Sequence, residues 1–104
     1  LQSAKSAYEM TTRIDPNFAV GHYNLGMTLK AMGKFTEAIS SYQRAVQLDP
    51  KYASAYQNLG VVWLKVGNQK ASLAAFNKAI SLHEQDNPIE ALRLRQGLQE
   101  MGLI

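Results

Sequence analysis

The 104 residues suffice for one small domain, and a hydrophobic share of 46% is that of an ordinary water-soluble globular chain. No cysteine is present, which excludes disulfides and thiolate zinc sites, and no apolar run approaches the roughly 18 residues needed to span a bilayer. The net charge of +3 comes from dispersed Lys and Arg, without the clustered basic face of a nucleic-acid binder.

In chain order, residues Leu1 to Ile14 read as a helix that carries Ala4 and Tyr8 on one face. From Ala19 to Met32, His22, Leu25, Gly26 and Leu29 are spaced three and four apart, which marks a buried helical face. Gly33 suits the left-handed cap that ends it. A helix from about Thr36 to Leu48 carries Ala38, Tyr42, Ala45 and Leu48, and Asp49-Pro50 stops it because the residue before proline is pushed out of the helical region. Ala53 to Val66 carries Tyr56, Leu59, Gly60 and Trp63 and is closed by Gly67. Asn68 is an N-cap for the next helix, which carries Leu73, Phe76, Ala79 and Ile80 and is expected to end near His83. Asn87-Pro88-Ile89-Glu90 is a helix start, with Asn87 capping, Pro88 in the first turn and Glu90 reaching back to the cap. Ala91, Leu94, Leu98 and Met101 follow as an apolar stripe, and Gly102 ends it.

The chain repeats itself. Asp15-Pro16 recurs as Asp49-Pro50, Leu25-Gly26 as Leu59-Gly60, Gly33 as Gly67, Ala45 as Ala79 and Leu48 as Leu82, always thirty-four residues on. That is the period of a helix–turn–helix array, whose units cannot bury their apolar faces alone and must stack. Gly26, Gly60, Ala45 and Ala79 let helices approach closely, and Tyr42, Trp63 and Phe76 fill the space left. Short turns at Gly33 and Gly67 make the paired helices antiparallel.

These residues resemble the tetratricopeptide repeat pattern W-x2-L-G-x2-Y, A-x3-F, P. The first complete unit has His22, Leu25, Gly26 and Leu29, then Ala38, Tyr42, Ala45 and Pro50. The second has Tyr56, Leu59, Gly60 and Trp63, then Ser72, Phe76 and Ala79. The departures are His22 for a large aromatic, Leu29 for Tyr, Ser72 for Ala, and Glu84 where the proline would stand. The resemblance implies an all-α, right-handed solenoid of antiparallel helix pairs forming one domain. Residues 1–18 would be the second helix of an incomplete repeat, 19–52 and 53–86 repeats, and 87–104 a capping helix. The chain opens at Leu1 in mid-repeat, as a piece of a longer protein would, so the lack of a targeting segment says nothing of the parent.

The resemblance also implies that the first helices line a concave groove. Tyr23, Asn24, Met27 and Lys30 would line it in one repeat, and Gln57, Asn58, Val61 and Lys65 in the next. Asparagine amides can bond a peptide backbone, tyrosine and methionine offer apolar contact, and the lysines attract an acidic group. Two uses of the asparagines stand side by side: contact with a peptide, and bonding between neighbouring repeats. The basic clamp of chaperone-adaptor members is absent, since Tyr23, Met27, Pro88 and Leu92 stand at its places and Asn58 alone fits.

Catalysis finds no support. His22 and His83 lack a carboxylate or cysteine at ligand spacing, the serines have no nucleophile elbow, and the glycines are used by turns and packing. Asp15 and Asp49 read as turn residues. The expected protein is therefore a non-enzymatic scaffold without cofactor or metal. It would bind a protein or peptide as part of an assembly factor or adaptor, with nucleic acid and membrane insertion disfavoured. The alternative is self-association through the incomplete N-terminal repeat. The expected setting is a soluble domain on a cytoplasmic or stromal side.

Overall fold

The computed structural model describes residues 1–104 and contains six helices and no strand. They are α1 (Gln2–Ile14), α2 (Ala19–Ala31), α3 (Phe35–Leu48), α4 (Ala53–Lys65), α5 (Gln69–Asp86) and α6 (Pro88–Glu100). Each helix packs on its chain neighbours, and α2 also approaches α4. This is a one-dimensional stack with extents of 39 × 28 × 19 Å.

The turns follow from local chemistry. Gly33 and Gly67 take φ of 77° and 87°, a left-handed conformation that costs glycine nothing. Lys34 N–H then donates to Leu29 O and Gly33 N–H to Lys30 O; Asn68 to Trp63 O and Gly67 to Leu64 O repeat the pattern. This is the Schellman arrangement, which satisfies the last carbonyls of the helix. The aspartates act as turn residues: Asp49 Oδ1 accepts from Lys51 N at 3.1 Å and Asp15 Oδ1 from Asn17 N at 3.3 Å. Asn68 and Asn87 cap α5 and α6 by accepting from Ala71 N and Glu90 N.

Two local expectations need correction. α5 continues past His83 to Asp86, since the first helix-breaking proline stands only at Pro88. Glu84 in the extra turn pairs with Arg95 of α6 at 2.8 Å. Glu90 does not reach back to its cap; its carboxylate turns forward to Arg93 at 3.5 Å. Trp63 packs against the first apolar cluster, as its place in the stripe implies, and Val62 beside it is fully enclosed. The cause is that α4 is pressed by α3 on one side and α5 on the other, which buries Ala55 and Val62 as well as Leu59 and Gly60. One repeat earlier Gly21 and Thr28 are buried in the same way.

Two apolar clusters result. The first joins Leu29, Ala38, Ile39, Tyr42, Leu59, Val62 and Ala75 across both repeats. The second joins Phe76, Ile80, Ala91 and Leu98, with Val61, Leu94 and Leu103 against it, and so fastens α6 to the end of the stack. By contrast α1 has no buried residue and meets α2 alone.

The departures from the repeat pattern have structural meaning. Ser72, fully enclosed, donates from Oγ to the Gly60 carbonyl at 2.7 Å and so ties α5 to α4. Tyr42 is also fully enclosed, but its hydroxyl has no hydrogen-bond partner. His22 places Nε2 2.9 Å from the Pro16 carbonyl at the preceding turn.

Candidate functional site: the face of α2 and α4

α2 and α4 lie side by side, so residues spaced one repeat apart become neighbours. Asn58 is the hub. Its Oδ1 accepts from Lys30 Nζ at 2.6 Å, and its Nδ2 donates to Tyr23 Oη at 3.1 Å and to the Ser54 carbonyl at 3.0 Å. The Tyr23 ring stacks on Tyr52 at 4.8 Å and tilts against Tyr42 at 5.8 Å. Of the two uses open to this asparagine, the bond between repeats is the one occupied.

Burial sets the electrostatics of this cluster. It pushes the Tyr23 phenol up, partly offset by hydrogen bonds to Asn58 and Ser54. It also pushes up Tyr52, with Tyr23 and Asp49 adding to the rise. Burial lowers the Lys30 ammonium, because a charged amine loses solvation there. Neither α2 nor α4 carries a carboxylate; Lys30 and Lys65 are their charged residues.

The remaining residues expected in the groove divide. Gln57 Oε1 lies 3.3 Å from His83 Nε2, a bond that requires the Nε2–H tautomer. Val61 packs toward the α6 cluster. Met27 is 40% exposed, as is Val20 close by at 42%, and the Asn24 side-chain amide makes no hydrogen bond within the chain. Lys65 is exposed at the mouth of an apolar cavity shared with Val61, Leu64, Phe76 and Met101. The face is thus a self-bonded centre, Lys30–Asn58–Tyr23, flanked by free apolar and amide groups on α2 and a cavity beside α4.

Tyr52, Leu64 and Met101 were not among the residues expected at this face. Tyr52 stands at the N-cap of α4, and Met101 at the C-cap of α6. Their places depend on angles between helices, which repeat spacing does not encode. No group of His, Cys, Asp and Glu is arranged to hold a metal ion, and no helix is long and apolar enough to cross a membrane.

Comparison with known proteins yields three repeat-family matches. A model described as TPR repeat covers residues 27–67, and two described as tetratricopeptide repeat cover 7–40 and 53–86. No curated protein sequence matches. Among solved structures, the chain is similar to MamA, with 27% identity and a TM-score of 0.81 over 98% of this chain and 55% of that one. It is also similar to YrrB, described as a TPR protein with an unusual peptide-binding site. There the identity is 25% and the TM-score 0.80, over 91% of this chain and 48% of YrrB. The TPR2B domain of yeast Sti1, solved as a pHsp70 complex, gives 26% identity and a TM-score of 0.83 over 89% of this chain and 75% of that one. The chain thus spans about half the length of MamA and YrrB.

Proposed function

The chain belongs to the tetratricopeptide repeat family, and we propose that it is a non-catalytic scaffold, in an assembly factor or adaptor, that holds an extended segment of a partner protein along α2 and α4. The observation that carries this reading is the state of α2. Met27 and Val20 are exposed, and the Asn24 amide is free of any partner in the chain. An apolar contact and an unspent amide on one helix suit a peptide, whose backbone offers donors and acceptors between side chains. The peptide-binding site described for YrrB and the pHsp70 complex of the Sti1 domain support it.

The Lys30–Asn58–Tyr23 network serves this function indirectly. It fixes the angle between the two repeats and hence the shape of the face. A photo-crosslinking residue in place of Met27 tests the reading. A partner protein captured there, and not from a crosslinker at the exposed Lys78 of α5, is expected; capture from Lys78 alone contradicts it.

One observation favours a second reading. α1 has no buried residue and leaves Met10 and Ile14 exposed at 52% and 76%, so self-association through α1 is the competing use. Sedimentation of Ile14→Gln beside the parent separates the two: a dissociated variant favours self-association.

A further inference from the structure

Beside α4 an open cavity of about 280 Å³ is lined by Val61, Leu64, Lys65, Phe76 and Met101. Its origin is geometric. α2 and α4 approach each other, whereas α6 packs on α5 and makes no close backbone approach to α4. The wedge so left includes the ring of Phe76, 4% exposed, and the thioether of Met101, 54% exposed. Ligand pockets for drug-sized molecules run from about 300 to 1,000 Å³, so this volume suits one or two side chains rather than a cofactor. Water is a poor occupant of such a lining, because an ordered water needs about two to four polar partners. The one enclosed side-chain polar atom without a partner, Tyr42 Oη, belongs to the other cluster.

Charge selects what accompanies the apolar group. Lys65 is the one charged lining residue. It is exposed and takes part in no salt bridge, not even with Glu100 next to Met101. With no carboxylate on α2 or α4, its attraction for an anion is unopposed on those helices. Extending the concave-face reading, on which it rests, we propose that this cavity seats one large apolar side chain of a partner peptide, Leu, Met or Phe, whose neighbouring Asp or Glu meets Lys65. The carboxylate belongs to a side chain within the peptide, not to its end. Capture of a terminal carboxylate calls for convergent donors, and a single lysine offers only one compact, strongly hydrated charge on a flexible stem.

The test titrates the isotope-labelled 104-residue chain with a blocked peptide, acetylated and amidated, that carries one Leu between two Glu in a Gly/Ser frame. NMR shifts at Leu64, Lys65 and Met101 are expected. They vanish when the peptide Leu becomes Ser. Replacing its Glu by Gln weakens binding roughly two- to fivefold at low salt, as for an exposed ion pair, and Lys65→Gln removes that difference. Met101→Gln, at an exposed cap, folds and weakens binding of the Leu peptide. Shifts at the cavity that ignore the Leu-to-Ser change overturn the proposal. So does tighter binding of an unblocked peptide ending in Leu. Shifts at Tyr23, Asn24 and Met27 with a silent cavity overturn it too, yet leave the groove reading standing. Silence on both faces overturns the cavity, and the crosslinking at Met27 then judges the groove by itself.

Discussion

A β-carbon on Gly60 would stand 2.7 Å from the ring of Phe76, and one repeat earlier a β-carbon on Gly26 would stand 2.8 Å from the ring of Tyr42. In each repeat the first helix gives up a side chain so that the aromatic ring of the second helix can lie on its backbone. Both rings are enclosed, Phe76 at 4% and Tyr42 at 0% exposure, so neither can swing away. Gly60→Ala and Gly26→Ala are therefore expected to destabilise by about 1–3 kcal/mol through overpacking, outweighing the roughly 1 kcal/mol that alanine gains in helix propensity. Gly97, in α6, has nothing within 4 Å of its would-be β-carbon. Gly97→Ala is expected to stabilise by about 0.5–1 kcal/mol. Urea melts of the three variants check the contrast.

The unpartnered Tyr42 hydroxyl leads to the opposite kind of expectation. Phenylalanine at this place keeps the ring and removes a polar atom that has lost water and found nothing. Tyr42→Phe is expected to raise stability by about 1 kcal/mol. The same residue governs alkaline behaviour. Burial raises its pKa, with Tyr23 adding to the rise, and burial raises Tyr23 and Tyr52 as well. Below pH 10.0, the ordinary tyrosine value, these phenols are neutral in both folded and unfolded chains. Above it the unfolded chain releases protons that the folded chain keeps, so stability falls as pH rises. Lys30 acts the other way: its lowered pKa makes stability rise with pH up to its ordinary value of 10.5. The tyrosines prevail because the enclosed Tyr42 carries the largest desolvation. The urea midpoint should drop above pH 10.0, and drop less steeply in Tyr42→Phe.

Asn58→Ala removes three hydrogen bonds at once, from Lys30 and to Tyr23 and the Ser54 carbonyl. Their partial exposure limits the cost, expected at about 1–2 kcal/mol in a urea melt. The Lys30 ammonium also loses its carbonyl acceptor while remaining partly desolvated. Lys30→Met in the Asn58→Ala background is then expected to cost less than in the parent. Equal costs in the two backgrounds would show that the pair is not coupled.

Much of the fold was legible because its punctuation is local. Gly33, Gly67, the Asp-Pro turns and Asn87-Pro88 each act on their immediate neighbours, so helix limits could be read within a few residues. The thirty-four-residue shift then set the stacking. Less legible was whatever depends on how one helix leans on another. A single apolar stripe on α4 points to Trp63, which does pack against the core, but not to Val62, which pressure from α3 and α5 together encloses. A bond between neighbouring repeats was one of the two uses readable for Asn58. Its commitment to Lys30 and Tyr23 was not readable, because that needs the inter-repeat angle. The cavity beside α4 depends on the lean of α6, a segment without the repeat signature, and Met101 carried no local mark of its place there.

The covering role of α6 has its own test. Phe76 and Ile80 share a cluster with Ala91 and Leu98 of that helix. A chain ending at Asn87 should expose them, bind a hydrophobic dye, and sediment as larger species as concentration rises. A monomeric fragment as stable as the parent would show that α6 is dispensable to the stack.

Calorimetric titration of the captured partner segment decides whether the face of α2 and α4 binds the partner. Asn24 and Met27 are the residues to change, because neither amide nor thioether is tied up within the chain. Asn24→Ala is expected to weaken binding by roughly 0.5–1.5 kcal/mol, the worth of one hydrogen bond. Met27→Ala should weaken it by about 1–2 kcal/mol of lost apolar contact, and Lys78→Ala on α5 should leave affinity intact. Normal binding by the folded Asn24 and Met27 variants, with binding lost in Lys78→Ala, would contradict this and move the site to α3 and α5.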